Sequence, residues 1–265
     1  MNYQRWISHF ERNRENRPEP DWTAPIDIPP RKLKPLLKTL AQFQLGDGGG
    51  PCCLIAIDAG RLLNRSPELE RVVDLWFREE AEHARLLGRA LDRFGGQPIK
   101  THWSFRAFCR VRRWLGVRFE LQVLLLTELV STAYYRVLQR YVDDPAIHQM
   151  CALILRDEGG HVDFHRDRLA HANPSPASPL GALWQVQFWL CGLAAASVLW
   201  VNHGPCLFPF GAGNREYFGE VHREIGGFIA RLVARSRAVK NRRSPVAPAT
   251  AAANASTSTQ APATV

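Results

Sequence analysis

The sequence predicts an all-α protein, and three observations carry that reading. Apolar residues between about 33 and 239 recur every three or four positions rather than every second one. Helix-start signals precede those stripes, Ser66-Pro67 and Asp144-Pro145 being the clearest. The gaps between them are unequal, with about two dozen residues in one and only a few in the next, as a four-helix bundle with one long crossover requires.

With 265 residues, 46% of them hydrophobic, the chain can bury a sizeable core. Its 22% charged residues, 18 prolines and 19 glycines lie near the globular average, which excludes wholesale disorder and collagen-like or coiled-coil rods. The formal charge of +9 favours attraction to anionic surfaces and says nothing of fold. The excess is spread over Arg31, Lys32 and Lys34, over Arg110, Arg112 and Arg113, and from Arg231 to Arg243, without zinc-finger spacing or an RNP-like motif. Specific nucleic-acid binding is therefore not expected. Six cysteines, Cys52, Cys53, Cys109, Cys151, Cys191 and Cys206, form no C-x-x-C and read as reduced thiols. The first residues lack the apolar run of a secretory signal, so a cytoplasmic location is expected, with membrane association as the alternative.

Taken in order, residues 1–32 are polar and proline-containing and read as an irregular arm. A first helix falls within 33–64, interrupted around Gly48-Gly49-Gly50-Pro51. The second runs from Pro67, behind the cap Ser66, to Phe94 before Gly95-Gly96. The crossover that follows interleaves Trp103, Phe105, Phe108 and Trp114 with arginines, and reads as an amphipathic cover for the core, with an interfacial membrane face as the alternative. The third helix spans Val117 to Tyr141 and the fourth Pro145 to Ala170, capped by Asp144. The four-helix bundle thus occupies 33–172, and two accessory helices, at about 181–202 and 216–239, fill 173–243. The uncharged stretch 180–201 is long enough to cross a bilayer, but Gln185 and Gln187 favour a buried accessory helix over a membrane element. Residues 244–265 are almost entirely Ala, Ser, Thr and Pro, a composition expected to be disordered.

The chemistry lies in interruptions of the apolar stripes. On the second helix the stripe Val73, Trp76, Leu87 is broken by Glu80 and His83; on the fourth, Ile147, Cys151, Ile154 gives way to Glu158, His161 and His165. Each is an E-x-x-H, a carboxylate and an imidazole three residues apart on one helical face, able to reach one cation. The third helix adds Glu128 on the stripe Leu121, Leu124, Thr132, Tyr135; an isolated buried carboxylate there is costly unless neutral, paired or metal-bound. Glu120 is its rival, nearer the helix start. Glu82 is expected to face water, as is Glu79 unless it serves the site.

This pattern resembles the ferritin-like di-iron carboxylate superfamily, which includes ferritin, rubrerythrin and the ribonucleotide reductase small subunit. The family pattern is Glu, E-x-x-H, Glu, E-x-x-H, one element per helix around two metals. Glu80 and His83 match the first E-x-x-H, Glu128 the lone Glu, and Glu158 and His161 the second E-x-x-H. The resemblance spans about 36–170 and implies metal ligation by these five residues. It also implies that Asp157, and its counterpart Glu79, orient a metal-bound His through the other ring nitrogen. Tyr135 and His165 are further candidates for that outer layer, against roles as a core tyrosine and a surface histidine.

The pattern departs from the family on the first helix. Thirty residues before Glu80, the spacing that separates Glu128 from Glu158, stands Gly50, and no glutamate lies between Glu19 and Glu68. Asp47, three residues earlier, is the candidate substitute; Cys53, a water, a single-metal site or a relic without metal are the other options. Carboxylates and imidazoles suit iron or manganese, so the resemblance implies two irons and an O2-dependent oxidoreductase or oxygenase acting on a small molecule, with an electron-donor protein. A helical scaffold with an incomplete site is the alternative. Homodimer formation and contact with a membrane surface are left open.

Overall fold

The computed structural model describes residues 1–48 and 54–243, and among these the regular structure is helical with no strand. The helices are α1 (Tyr3–Glu15), α2 (Pro30–Gly48), α3 (Ala59–Leu63), α4 (Pro67–Arg93), α5 (Trp103–Trp114), α6 (Val117–Tyr141), α7 (Pro145–Ala170), α8 (Pro179–Leu207) and α9 (Asn214–Arg243). The fold is all-α, as the stripes predict. Gly50, Cys52, Cys53 and the 244–265 tail lie outside the described residues.

The start signals are where the sequence places them. Ser66 Oγ accepts from the Leu69 amide at 3.2 Å, and Asp144 Oδ1 accepts from Ile147 at 3.0 Å. Asp144 also takes a 2.9 Å ion pair from Arg93, which ties the end of α4 to the start of α7. Gly95 follows α4 at φ 69°, a left-handed stop that a side chain would strain.

Three expectations need correction. The N-terminal arm is not irregular: Trp6, Ile7 and Phe10 give α1 a buried stripe against α4 and α7, hidden in the sequence because the rest of that helix is polar. The crossover helix α5 does not cover the core with all its aromatics. Trp103 and Trp114 are 55% and 71% exposed, and the buried member is Arg112, bound to Glu120 of α6 at 2.8 Å. Nor is α8 a buried helix: Leu183, Val186, Leu190 and Val201 point outward. Small residues explain this, because Gly192 and Ala196 bring its backbone close to α6 and α9 and leave the bulky side chains on the far side.

In packing, α2 lies along α4, α6 along α7, and α4 meets α7; α9 covers α6 and α7, while α8 touches α2, α6 and α9. The interior divides into two apolar clusters. One gathers Leu36, Leu87, Leu129, Tyr134 and Ile154, and the other Trp6, Phe10, Trp76, Leu121 and Phe164. On α4, Leu69 to Phe77 belong to the second cluster and Leu86 to Leu91 to the first, so Glu79, Glu80 and His83 form a polar layer between them. The four described cysteines are free thiols.

Candidate metal centre

The polar layer is assembled from four helices. α4 contributes Glu79, Glu80 and His83; α7 contributes Asp157, Glu158 and His161; α6 contributes Glu128; and α2 contributes Asp47 from its last turn. The E-x-x-H spacing puts each acid and imidazole one helical turn apart on the inward face, so that α4 and α7 offer matching pairs to each other.

Two groups of ligand atoms result. Glu80, Glu128, Glu158 and His161 can each present one atom within 4.8 Å of all the others, and so can Asp47, Glu80 and His83. Glu80 belongs to both groups. Glu158 also faces both histidines, with Oε2 3.4 Å from His161 Nδ1 and Oε1 3.7 Å from His83 Nδ1. The two imidazoles are 5.9 Å apart between ring centres.

Each imidazole is held from behind by an acid of the opposite helix. His83 Nε2 lies 3.2 Å from Asp157 Oδ2, and His161 Nε2 lies 3.0 Å from Glu79 Oε2. An acid on Nε2 fixes a proton there and turns Nδ1, with its lone pair, toward the cluster. Both Nδ1 atoms, with Glu80 Oε1 and Glu158 Oε2, are buried without an aligned hydrogen-bond partner, although His161 Nδ1 is 3.1 Å from Glu80 Oε1. Lone pairs facing carboxylate oxygens at such distances repel unless a proton or a cation lies between them. The donor set therefore fits a divalent cation.

The electrostatics of the metal-free layer say the same. Burial and then the charge of Glu128 push Glu158 well above the carboxylate range, and burial with Glu80 does the same to Asp47. Burial opposes ionisation of Glu80 too, but the adjacent His161 and His83 imidazoles hold its pKa below the ordinary value. Burial would depress both imidazoles, yet their acid partners raise them well above normal: Asp157 and Glu80 for His83, and Glu128, Glu158, Glu79 and Glu80 for His161. Asp157 is pushed down to about 2, because the His83 bond and the charges of His83, Arg17 and Arg156 outweigh its burial.

Not every sequence candidate joins the cluster. Glu120 is buried at the start of α6, where it accepts from the Ile55 and Ala56 amides at 2.8 and 2.9 Å and pairs with Arg112. Its role is to anchor the segment before α3. Glu79 does not face water: it is 4% exposed, behind His161. Glu82 pairs with Arg85 at the surface. His165 is neither a surface residue nor within either ligand group; it is buried edge-on to Trp76 at 5.1 Å, with burial and then Arg168 depressing its pKa well below normal. Tyr135 packs on Phe43, and its hydroxyl is buried without a hydrogen-bond partner.

Sequence reasoning missed Arg17. From the segment after α1, its guanidinium reaches Asp157 Oδ2 at 2.6 Å and stands 3.9 Å from Glu79 Oε1, bridging the two outer acids. No local pattern singles it out among the arginines of the N-terminal segment. Also missed was a cavity of about 770 Å³ with Asp47, Glu80, Glu128 and Glu158 in its wall, bounded otherwise mostly by apolar side chains of α2, α4, α5, α6 and α8, with Arg112, Gln122, Asn202 and His203 among them.

Compared with protein-family models, curated proteins and solved structures, the chain matches none.

Proposed function

We propose that this chain is a ferritin-like di-metal carboxylate protein that binds two irons, or two manganese ions, and uses them with O2 as an oxidoreductase or oxygenase on a small organic substrate. One observation carries the reading: the two E-x-x-H pairs face each other, and each histidine is held from behind by the acid preceding the other helix's ligand glutamate. Chance burial of polar residues would not produce that reciprocity. The order of α2, α4, α6 and α7, with α5 in the long crossover, agrees with a ferritin-like arrangement.

Asp47, Glu80, His83 and Glu158 would hold one ion, and Glu128, His161, Glu80 and Glu158 the other, with Glu80 and Glu158 shared. Asp47 thus takes the place of the glutamate that the first helix lacks. Ferrous ions held by these residues would supply electrons to O2. The chain's own contribution is positional. Asp157 and Glu79 would keep protons on the histidine Nε2 atoms, Arg17 would hold those two acids in place, and the mostly apolar cavity wall would disfavour water beside the acidic groups. An electron-donor protein and O2 are the partners this chemistry calls for.

The test is metal content after anaerobic reconstitution with Fe(II), measured on protein freed of excess metal. The expected value is about two ions per chain, with most of the metal lost in Glu158→Ala, whose carboxylate serves both positions. A folded wild-type chain that retains no metal would make it a scaffold with a relic site. Metal retained at full stoichiometry by Glu158→Ala would place the ions elsewhere.

A further inference from the structure

One face of the molecule combines an exposed apolar helix, a basic aromatic helix and the mouth of the cavity. No Asp, Glu, Lys or Arg occurs between Arg168 and Arg215, so α8 is uncharged throughout. One side of α8 lies on α9, where Trp200 stacks on Tyr217 at 5.2 Å. Another lines the cavity through Ala194, Val198 and Asn202. The strip beside it, Leu183, Val186, Leu190, Leu193 and Val201, recurs at helical spacing and is open to solvent. Only 17% of the most apolar 18-residue window of this helix is buried. An apolar strip of that extent marks a contact surface.

Across the cavity mouth stands α5. Both helices pack on α6 and make little contact with each other, so the cavity lies between them. Trp103, Val111, Trp114 and Leu115 are exposed there. Of the seven cations between Asp92 and Glu120, Arg93 and Arg112 are buried in ion pairs, which leaves Lys100, Arg106, Arg110, Arg113 and Arg118 exposed, with no acid among them. Exposed tryptophans among arginines, beside an uncharged apolar helix, match the chemistry of the boundary between anionic headgroups and acyl chains. Spanning the bilayer does not fit, because α9 runs beside α8 with Arg215, Glu216, Glu220, Arg223 and Glu224. A second copy seated here by two-fold symmetry would bring the two sets of α5 cations together.

We propose that the α5–α8 face lies in the headgroup–acyl boundary of an anionic bilayer, and that the cavity takes from that leaflet a lipid-soluble substrate, apolar along its length, whose reacting end reaches Glu80, Glu128 and Glu158. The substrate class deepens the di-metal reading and rests on it for the reaction. The docking face and the apolar cavity do not depend on bound metal.

The experiment therefore uses the metal-free full chain. It is floated with phosphatidylcholine vesicles containing about one-third phosphatidylglycerol, with and without brominated acyl chains that quench tryptophan, and dodecanol binding is measured by calorimetry. The chain is expected to float, to bind about tenfold more weakly in high salt, and to show quenching that decreases in Trp103→Phe/Trp114→Phe, the partly buried Trp184, Trp189 and Trp200 of α8 giving the remainder. Leu193→Glu/Val201→Glu, outside the cavity wall, is expected to weaken flotation at least about tenfold while circular dichroism and dodecanol binding stay unchanged. Ala194→Trp, in the wall, should do the reverse. A folded chain that stays with the pellet overturns the proposal, as does a dimer in sedimentation that Leu193→Glu/Val201→Glu dissociates, or dodecanol binding indifferent to Ala194→Trp. Iron stoichiometry, measured separately, fails only with the di-metal reading.

Discussion

Asp157 of α7 holds the Nε2 of His83 on α4 at 3.2 Å, and through that one contact the acid decides which ring nitrogen looks into the cluster. Asp157→Asn keeps the shape but offers an amide that no longer demands a proton on Nε2. Metal affinity, read by chelator competition, is expected to fall by about 10–100-fold with the helical content intact. An unchanged affinity would mean that His83 is not a ligand.

The place of Asp47 depends on a close approach between α2 and α4. A Cβ added at Gly48 would come within 2.7 Å of the Ala84 Cβ, a short side chain that cannot swing aside, whereas Gly46 has nothing within 4 Å. Gly48→Ala should therefore lift the end of α2 from α4 and withdraw Asp47 from Glu80 and His83. The expected metal content is about one ion per chain, as in Asp47→Ala, while Gly46→Ala retains about two. Equal loading of all these variants would remove Asp47 from the site.

The helices and the Glu and His residues of the cluster were legible because helix periodicity makes an intruding Glu or His visible against an apolar stripe. Ser66, Asp144 and the bounds of α6 and α7 follow from cap chemistry and stripe length alone. What escaped was whatever depends on contacts between distant segments. Arg17 reaches Asp157 across some 140 residues of sequence, and α1 hid its three apolar residues in a polar run. The exposure of α8 escaped for a different reason: composition shows that a helix is apolar but not which of its sides finds a partner.

Glu120 and Glu128, one stripe apart on α6, are expected to behave oppositely. Glu120 accepts from two backbone amides and Arg112, so Glu120→Ala should destabilise the fold by about 3–5 kcal/mol, with metal stoichiometry of the folded protein unchanged. Glu128 adds a negative charge beside Glu158 and raises its pKa. Glu128→Gln removes both that repulsion and the support Glu128 gives His161, so the stability of the metal-free protein should change by less than about 1 kcal/mol while metal binding weakens. Urea unfolding of both variants with and without metal separates the two cases.

His203 gives the fold an acid-sensitive point away from the carboxylate–histidine layer. Its ring is buried against Phe43 at 4.4 Å with Nδ1 lacking a partner, and burial, then His102 and Lys38, push its pKa down to about 3. Below the unfolded value, near 6.5, the unfolded chain binds a proton that the folded chain refuses, so the contribution to stability is intact above pH 6.5 and is lost as pH falls toward 3. The slope is about 1.4 kcal/mol per pH unit, or about 2 kcal/mol between pH 6.5 and 5. His203→Phe, which fills the same aromatic pocket with no titrating group, should lose about 2 kcal/mol less than wild type when urea unfolding of the metal-free protein is compared at pH 7 and pH 5. The carboxylate–histidine layer is the same in both proteins and its contribution cancels in that difference. Parallel losses would show that His203 takes up its proton inside the folded molecule, and the buried pocket would then have to admit water.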